Sequence, residues 1–132
     1  MNTTPTNVRV LIVESSRSYA EAIKEIVRSV PGHEVVAVVS TADEALVTIE
    51  LDPPDVVITD MQPAGSISGF ALMWRISENY DCDVIGLLSI DDDAYREGAI
   101  KHGACACLLK ECVAEELPPV LRSLSEKRPP RE

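Results

Sequence analysis

The sequence predicts an α/β domain in which a five-stranded parallel sheet is covered on both faces by helices. Five short runs rich in Val, Ile and Leu suit strands buried on both sides. The segments between them carry apolar residues at helical spacing. The loops are short, which favours strand–helix crossovers packed back on one sheet. At 132 residues the chain is long enough for one ordinary domain whose core needs no disulfide or metal.

Taken in order, VRVLIV from Val8 is the first strand, and it stops abruptly on Glu14, Ser15 and Ser16. Tyr19, Ile23, Ile26, Val27 and Val30 recur at helical spacing, and PGH at 31–33 ends that helix. EVVAVV from Glu34 is the second strand. TADE at 41–44 reads as a capping box, with Thr41 as N-cap and Glu44 reaching back, for a helix that runs to about Leu51 before DPP stops it. DVVITD from Asp55 is the third strand and ends on Asp60. A loop holding Pro63, Gly65 and Gly69 leads to a helix with Phe70, Leu72, Met73 and Ile76 facing inward.

DVIGLLS from Asp83 is the fourth strand and ends on Ser89. DDDAYREGAIKHGA places acidic residues at a helix N-terminus, where the dipole favours them, and Gly103 at its end. CACLLK is the fifth strand and ends on Lys110. The last helix carries Leu117, Val120, Leu121 and Leu124. Pro118 and Pro119 lack N–H groups and suit only a first turn, so this helix is expected to begin near Glu115 or Glu116, with residues 112–114 irregular. The expected organisation is a disordered segment over 1–7, one domain over 8–125, and over 126–132 a polar, frayed tail or the start of a linker to an output domain.

Composition excludes several functions. Twenty-two acidic residues against twelve basic ones give a formal charge of -10, which repels phosphate backbones and anionic lipid, so the domain itself is not expected to bind nucleic acid or membrane. No apolar run approaches the ~18 residues of a spanning helix. MNTTPTN lacks the basic segment and apolar core of a signal peptide, so a cytoplasmic protein is expected. The four cysteines, Cys82, Cys105, Cys107 and Cys112, fit small buried hydrophobes or a redox or metal role, but no C-x-x-C occurs and no zinc-module spacing appears even with His102.

Open parallel sheets bind ligands outside the carboxyl ends of their strands. Glu14, Asp60, Ser89 and Lys110 all fall on that edge. Two carboxylates, a hydroxyl and an ammonium there could hold a divalent cation and a phosphoryl group. Singly, each has a plainer reading: Asp60 as a polar strand end, Ser89 as a helix N-cap, Lys110 as a solvated terminus. Their common edge is what those readings leave unexplained. Trp74 and Tyr95 read as packing or interface groups more readily than as ligand stackers.

In this order and spacing, VRVLIV, PPDVVITDMQP, GFALMWRI and GACACLLKE resemble the receiver domain of response regulators, the phosphoacceptor module of two-component signalling. The resemblance covers Val8 to Ser125, and its wording is that of the subfamily usually joined to a helix-turn-helix output domain. It implies a flavodoxin-like fold with strand order 2-1-3-4-5. It also implies that Asp60 accepts a phosphoryl group from a histidine kinase's phosphohistidine, that Lys110 pairs with a phosphoryl oxygen, and that Ser89 moves to report the change. The implied magnesium site comprises Glu14, Asp60 and the backbone carbonyl of Gln62.

The departures from the family pattern concern that same site. Ser15 stands where the second of two adjacent acidic residues, a direct magnesium ligand, is usual, so magnesium is expected to bind weakly or not at all. Cys107 takes the switch position usually held by an inward-turning aromatic. Glu111 replaces a proline, and a cis bond before it would cost ~3–4 kcal/mol, so none is expected. Pro63 comes one residue early, and AGSIS lengthens the loop to Gly69 by one.

The leading reading is a signalling receiver acting through Asp60, not an enzyme beyond self-catalysed phosphotransfer. Its expected partners are a sensor histidine kinase or other signalling protein and a second copy of the chain, with Tyr95 on the interface and DNA reached only through an output domain. The alternative is a phosphorylation-independent receiver acting as a protein-interaction module. A metal-dependent phosphotransfer or hydrolytic enzyme on this fold would need a positioned base, and the sequence offers none.

Overall fold

A computed structural model describes residues 7–63 and 65–128. Strands β1 (Val8–Val13), β2 (His33–Val39), β3 (Val56–Asp60), β4 (Asp83–Leu88) and β5 (Ala106–Leu109) alternate with helices α1 (Arg17–Ser29), α2 (Ala42–Leu51), α3 (Gly69–Asn79), α4 (Asp93–Lys101) and α5 (Val113–Glu126). All neighbouring strands are parallel, in the order β2-β1-β3-β4-β5. This is the expected flavodoxin-like arrangement. Strand order reverses at the β1/β3 boundary, so the cleft opens at the carboxyl ends of those two strands.

Alternation along the strands splits the core in two. Val8, Val10 and Ile12 join Val56, Ile58, Ile85 and Leu87 against α1 and α5, while Leu11, Val13, Val57 and Val84 face α2, α3 and α4. Because successive side chains point to opposite faces, the dense apolar runs are what a doubly covered sheet requires. The capping box on α2 forms as read: Glu44 N–H donates to Thr41 Oγ1 at 3.1 Å, and Thr41 N–H donates to Glu44 Oε1 at 3.2 Å.

Two expectations are corrected. Helix α5 starts at Val113, directly after a 3-10 turn over Lys110–Cys112, and carries Pro118 and Pro119 inside it. Buried Val113 lies one turn before Leu117 and extends the apolar stripe to Leu121 and Leu124. The carbonyls whose partners the prolines remove belong to exposed Ala114 and Glu115, where water can serve them. The plainer reading of Ser89 as a helix N-cap does not hold either: the N-cap of α4 is Asp92, whose Oδ1 accepts from the N–H groups of Ala94 and Tyr95. Lys110 opens the 3-10 turn and does not close β5.

The expected disordered segment, apart from Asn7, and residues 129–132 of the expected tail lie outside the described residues. Before that point the chain is not loose. Glu126 ends α5, and Arg128 Nη2 donates to the carbonyl of Asp55 at 2.7 Å and to Asp83 Oδ2 at 3.1 Å.

Candidate functional site

Two close approaches shape the cleft. A Cβ at Gly69 would lie 2.2 Å from the carbonyl oxygen of Met61, so only glycine lets α3 begin this near the end of β3. The intervening loop turns at Gly65, whose φ is +105°, and is tied to α2 where Ser66 Oγ donates to Asp43 Oδ2 at 2.8 Å. That bond holds the Asp43 carboxyl below its ordinary range. The longer loop is thus anchored at Ser66 on its way to Gly69.

Three predicted residues meet at the head of the sheet. Lys110 Nζ donates to Glu14 Oε1 at 2.8 Å and to Asp60 Oδ2 at 3.3 Å. The Glu14 side chain is only 2% exposed, Asp60 15% and Lys110 18%, so the three interact away from bulk water. The second oxygen of each carboxylate is also occupied: Ser16 N–H donates to Glu14 Oε2 at 3.0 Å, and Gln62 N–H donates to Asp60 Oδ1 at 3.0 Å. Burial opposes charge on Lys110, but the hydrogen bond to Glu14 and the charges of Asp60 and Glu14 outweigh it and raise the ammonium's pKa.

Tyr19, which the sequence marked only as an inward-facing helical residue, completes this wall. Its Oη donates to the carbonyl of Lys110 at 2.8 Å, and Lys110 Nζ lies 4.8 Å from its ring centroid. Burial, then the nearby charges of Glu14 and Asp60, push the Tyr19 phenol up to about 12. A polar-tipped aromatic in the turn after Glu14 is the only signal the sequence offered.

The opposite wall is looser. A cavity of about 120 Å³ is lined by Asp60, Gln62, Leu88, Ser89, Asp92 and Tyr95, among others. Ser89 is exposed at its rim. Gln62 Nε2 donates to Tyr95 Oη at 3.2 Å, and Tyr95 stacks on Phe70 with ring centroids 5.8 Å apart. Cys107 is not brought to this cavity. It is buried among the α2–α4 side of the core, burial raises its thiol pKa, and its carbonyl accepts from Arg96 Nη1 at 2.7 Å.

The donor set is short of the anionic charge that a magnesium ion usually meets. Two carboxylates share one ammonium, which leaves a single net negative charge, and all four of their oxygens already accept hydrogen bonds. Ser15, the residue in the place of the third acid, is neutral and exposed. No cluster of three or more acidic, His or Cys side chains able to hold a metal ion occurs among the described residues. An ion at these carboxylates would share them with the Lys110 ammonium, which weakens its hold.

A family model for the response regulator receiver domain matches residues 10–122. The chain belongs to that family. Among curated proteins it is similar to the transcriptional regulatory protein DegU of Brevibacillus brevis, 29% identical over 111 residues that cover 83% of this chain and 47% of that one. It spans less than half the length of the curated relatives it matches.

Among solved structures, a LuxR-family DNA-binding response regulator from Staphylococcus aureus superposes with a TM-score of 0.81 at 24% identity, covering 89% of this chain and 98% of that one. The response regulator domain of Thermotoga maritima CheB gives 0.81 at 24% identity, covering 92% and 98%. These two likenesses speak for the fold alone. The receiver is thus a signalling domain of two-component response regulators, with a transcriptional regulator among its relatives. No helix among its described residues is long and apolar enough to cross a membrane.

Proposed function

We propose that this receiver accepts a phosphoryl group on Asp60 from a sensor histidine kinase and passes the change to an output or dimer surface. The observation that carries the reading is the position of Asp60: last residue of the central strand β3, opening on the cavity that Ser89 lines, with Lys110 Nζ at 3.3 Å. A carboxylate oxygen of Asp60 attacks phosphorus, an O–P bond forms, and the P–N bond to the kinase imidazole breaks with its electron pair returning to nitrogen. Lys110, whose ammonium already stands beside Asp60, offsets charge on the phosphoryl oxygens. Ser89 is the hydroxyl free to turn toward the new group.

In this reading Lys110 supplies the cationic help, and magnesium binds weakly at most. The relative named as a transcriptional regulator supports placing DNA contact in an output domain, away from this acidic one. Tyr95, at the edge of exposure on α4, is the residue we assign to the dimer or partner surface.

A second reading, a phosphorylation-independent interaction module, is favoured by the same ammonium. Lys110 already neutralises Asp60 in part, and Ser15 adds no charge to recruit an ion. One experiment separates the two: incubation with acetyl phosphate, with magnesium or with chelator, followed by intact mass. One phosphoryl adduct on wild type and none on Asp60→Asn supports phosphoacceptance. An unmodified wild type beside a modified Ser15→Asp variant supports the interaction module. A full adduct on Asp60→Asn refutes the assignment of Asp60.

A further inference from the structure

We propose that Tyr19 is the positioning residue for Lys110, gripping it at both ends. This rests on reading Lys110 as the cation that faces the incoming phosphoryl group, and it adds the side chain that aims it. A lysine ammonium rides on a flexible four-carbon stem and is strongly hydrated, so placing it beside two carboxylates needs something to restrict the stem. The backbone of Lys110 offers little restraint of its own, since it opens a 3-10 turn that no side chain caps.

Tyr19 acts on both problems. Its hydroxyl donates to the Lys110 carbonyl, which also accepts from the N–H of Val113, so the turn is held from α1 as well as from α5. Its ring presents an electron-rich face to Nζ at 4.8 Å, within the range of a cation–π contact. The ammonium held there still reaches Glu14 and Asp60.

The anchor behind Tyr19 is firm. Ala20, Ile23 and Val27 bury the inner face of α1. The same turn that presents Tyr19 contains the N-cap Ser16, whose N–H holds the far oxygen of Glu14. One short segment therefore fixes both the lysine and its principal carboxylate partner.

The test uses the full chain carrying ¹³C-labelled lysine, observed by NMR, alongside phosphoryl transfer from acetyl phosphate. In wild type the Hε resonances of Lys110 are expected upfield of those of Lys24, Lys101 and Lys127, through the ring current of Tyr19. Tyr19→Phe should keep that displacement and shift the Glu111 amide, whose peptide carbonyl loses its tie. Tyr19→Leu should abolish the displacement and slow phosphoryl transfer by roughly ten- to a hundredfold, as expected when a site group strays by ~1 Å.

A Lys110 without the displacement in wild type, or one that keeps it in Tyr19→Leu, overturns the proposal, as does transfer at the wild-type rate in a folded Tyr19→Leu. If Tyr19→Leu does not fold, Tyr19→Phe decides, and an unmoved Glu111 amide overturns it. If wild type accepts no phosphoryl group while the displacement is present and lost in Tyr19→Leu, the phosphoacceptor reading fails and the grip stands.

Discussion

The two walls of the Asp60 cleft are built on opposite terms. On the β1/β5 side, Glu14, Lys110 and Tyr19 form a closed set in which every charged oxygen has its donor and the aromatic ring backs the ammonium. On the β4/α4 side, Ser89 is exposed, the cavity is open, and the Gln62–Tyr95 bond joins two exposed side chains. The first wall holds charge in place and resists change. The second has slack, and a response to new charge on Asp60 would begin there. Different physical quantities therefore govern the two sides, electrostatic pairing on one and local freedom on the other.

The contrast breaks most directly at Lys110. Lys110→Met should cost roughly 2–3 kcal/mol of stability, because Glu14 is left buried without its cation. Adding Glu14→Gln should recover part of the loss. Chemical denaturation of the single and double variants checks this, and equal loss in both would show that the ammonium matters for packing alone.

Gly69→Ala should follow at about 1–3 kcal/mol, since the new methyl meets the Met61 carbonyl and something must shift. Its thermal midpoint should fall while the Lys110 ring-current shift stays. On the loose wall the effects should be small. Gln62→Ala and Ser89→Ala are each expected within ~0.5 kcal/mol of wild type, as exposed polar groups usually are. Tyr95→Ala should act instead on self-association, weakening it in sedimentation at unchanged fold; an unaltered association constant would remove Tyr95 from the interface.

Alkaline pH sharpens the comparison further. The folded Tyr19 phenol holds its proton to about pH 12 against an ordinary value of 10.0, so its contribution to stability is present below pH 10 and lost as pH rises between the two. The Lys110 pKa is raised as well, so its ammonium keeps its proton to higher pH in the folded protein than in the unfolded chain. Tyr19→Phe should show a shallower fall in thermal midpoint over that window. A slope equal to wild type would mean that the phenol is not what titrates.

The sequence was most legible where local rules act alone. The apolar runs, the capping box at Thr41 and Glu44, and the carboxylate closing β3 each follow from neighbouring residues, and all appear where expected. Glu14 and Lys110 could be assigned to the same sheet edge because parallel strands fix that edge. What stayed hidden were choices between partners distant along the chain. Glu14 could reach toward a metal or toward an ammonium, and only folding shows that it takes Lys110. Tyr19 read as core because helical spacing does not show where a phenol's hydroxyl ends. Pro118 and Pro119 misled the reading of α5 because burial of Val113 with its stripe outweighed two missing hydrogen bonds on the wet face.

Arg128 bears on where this folding unit can be cut. Its guanidinium ties α5 to Asp55 at the foot of β3 and to Asp83 at the start of β4, with the carbonyl of Asp81 also within 3.5 Å. Asp55 also accepts from the backbone of Arg9, so one carboxylate joins β1, β3 and the end of the last helix. A recombinant fragment trimmed at Ser125, the natural choice from helical periodicity, would remove the guanidinium that ties those acids to the last helix. The unit that should be expressed, grafted or fused as a self-sufficient module extends at least through Arg128.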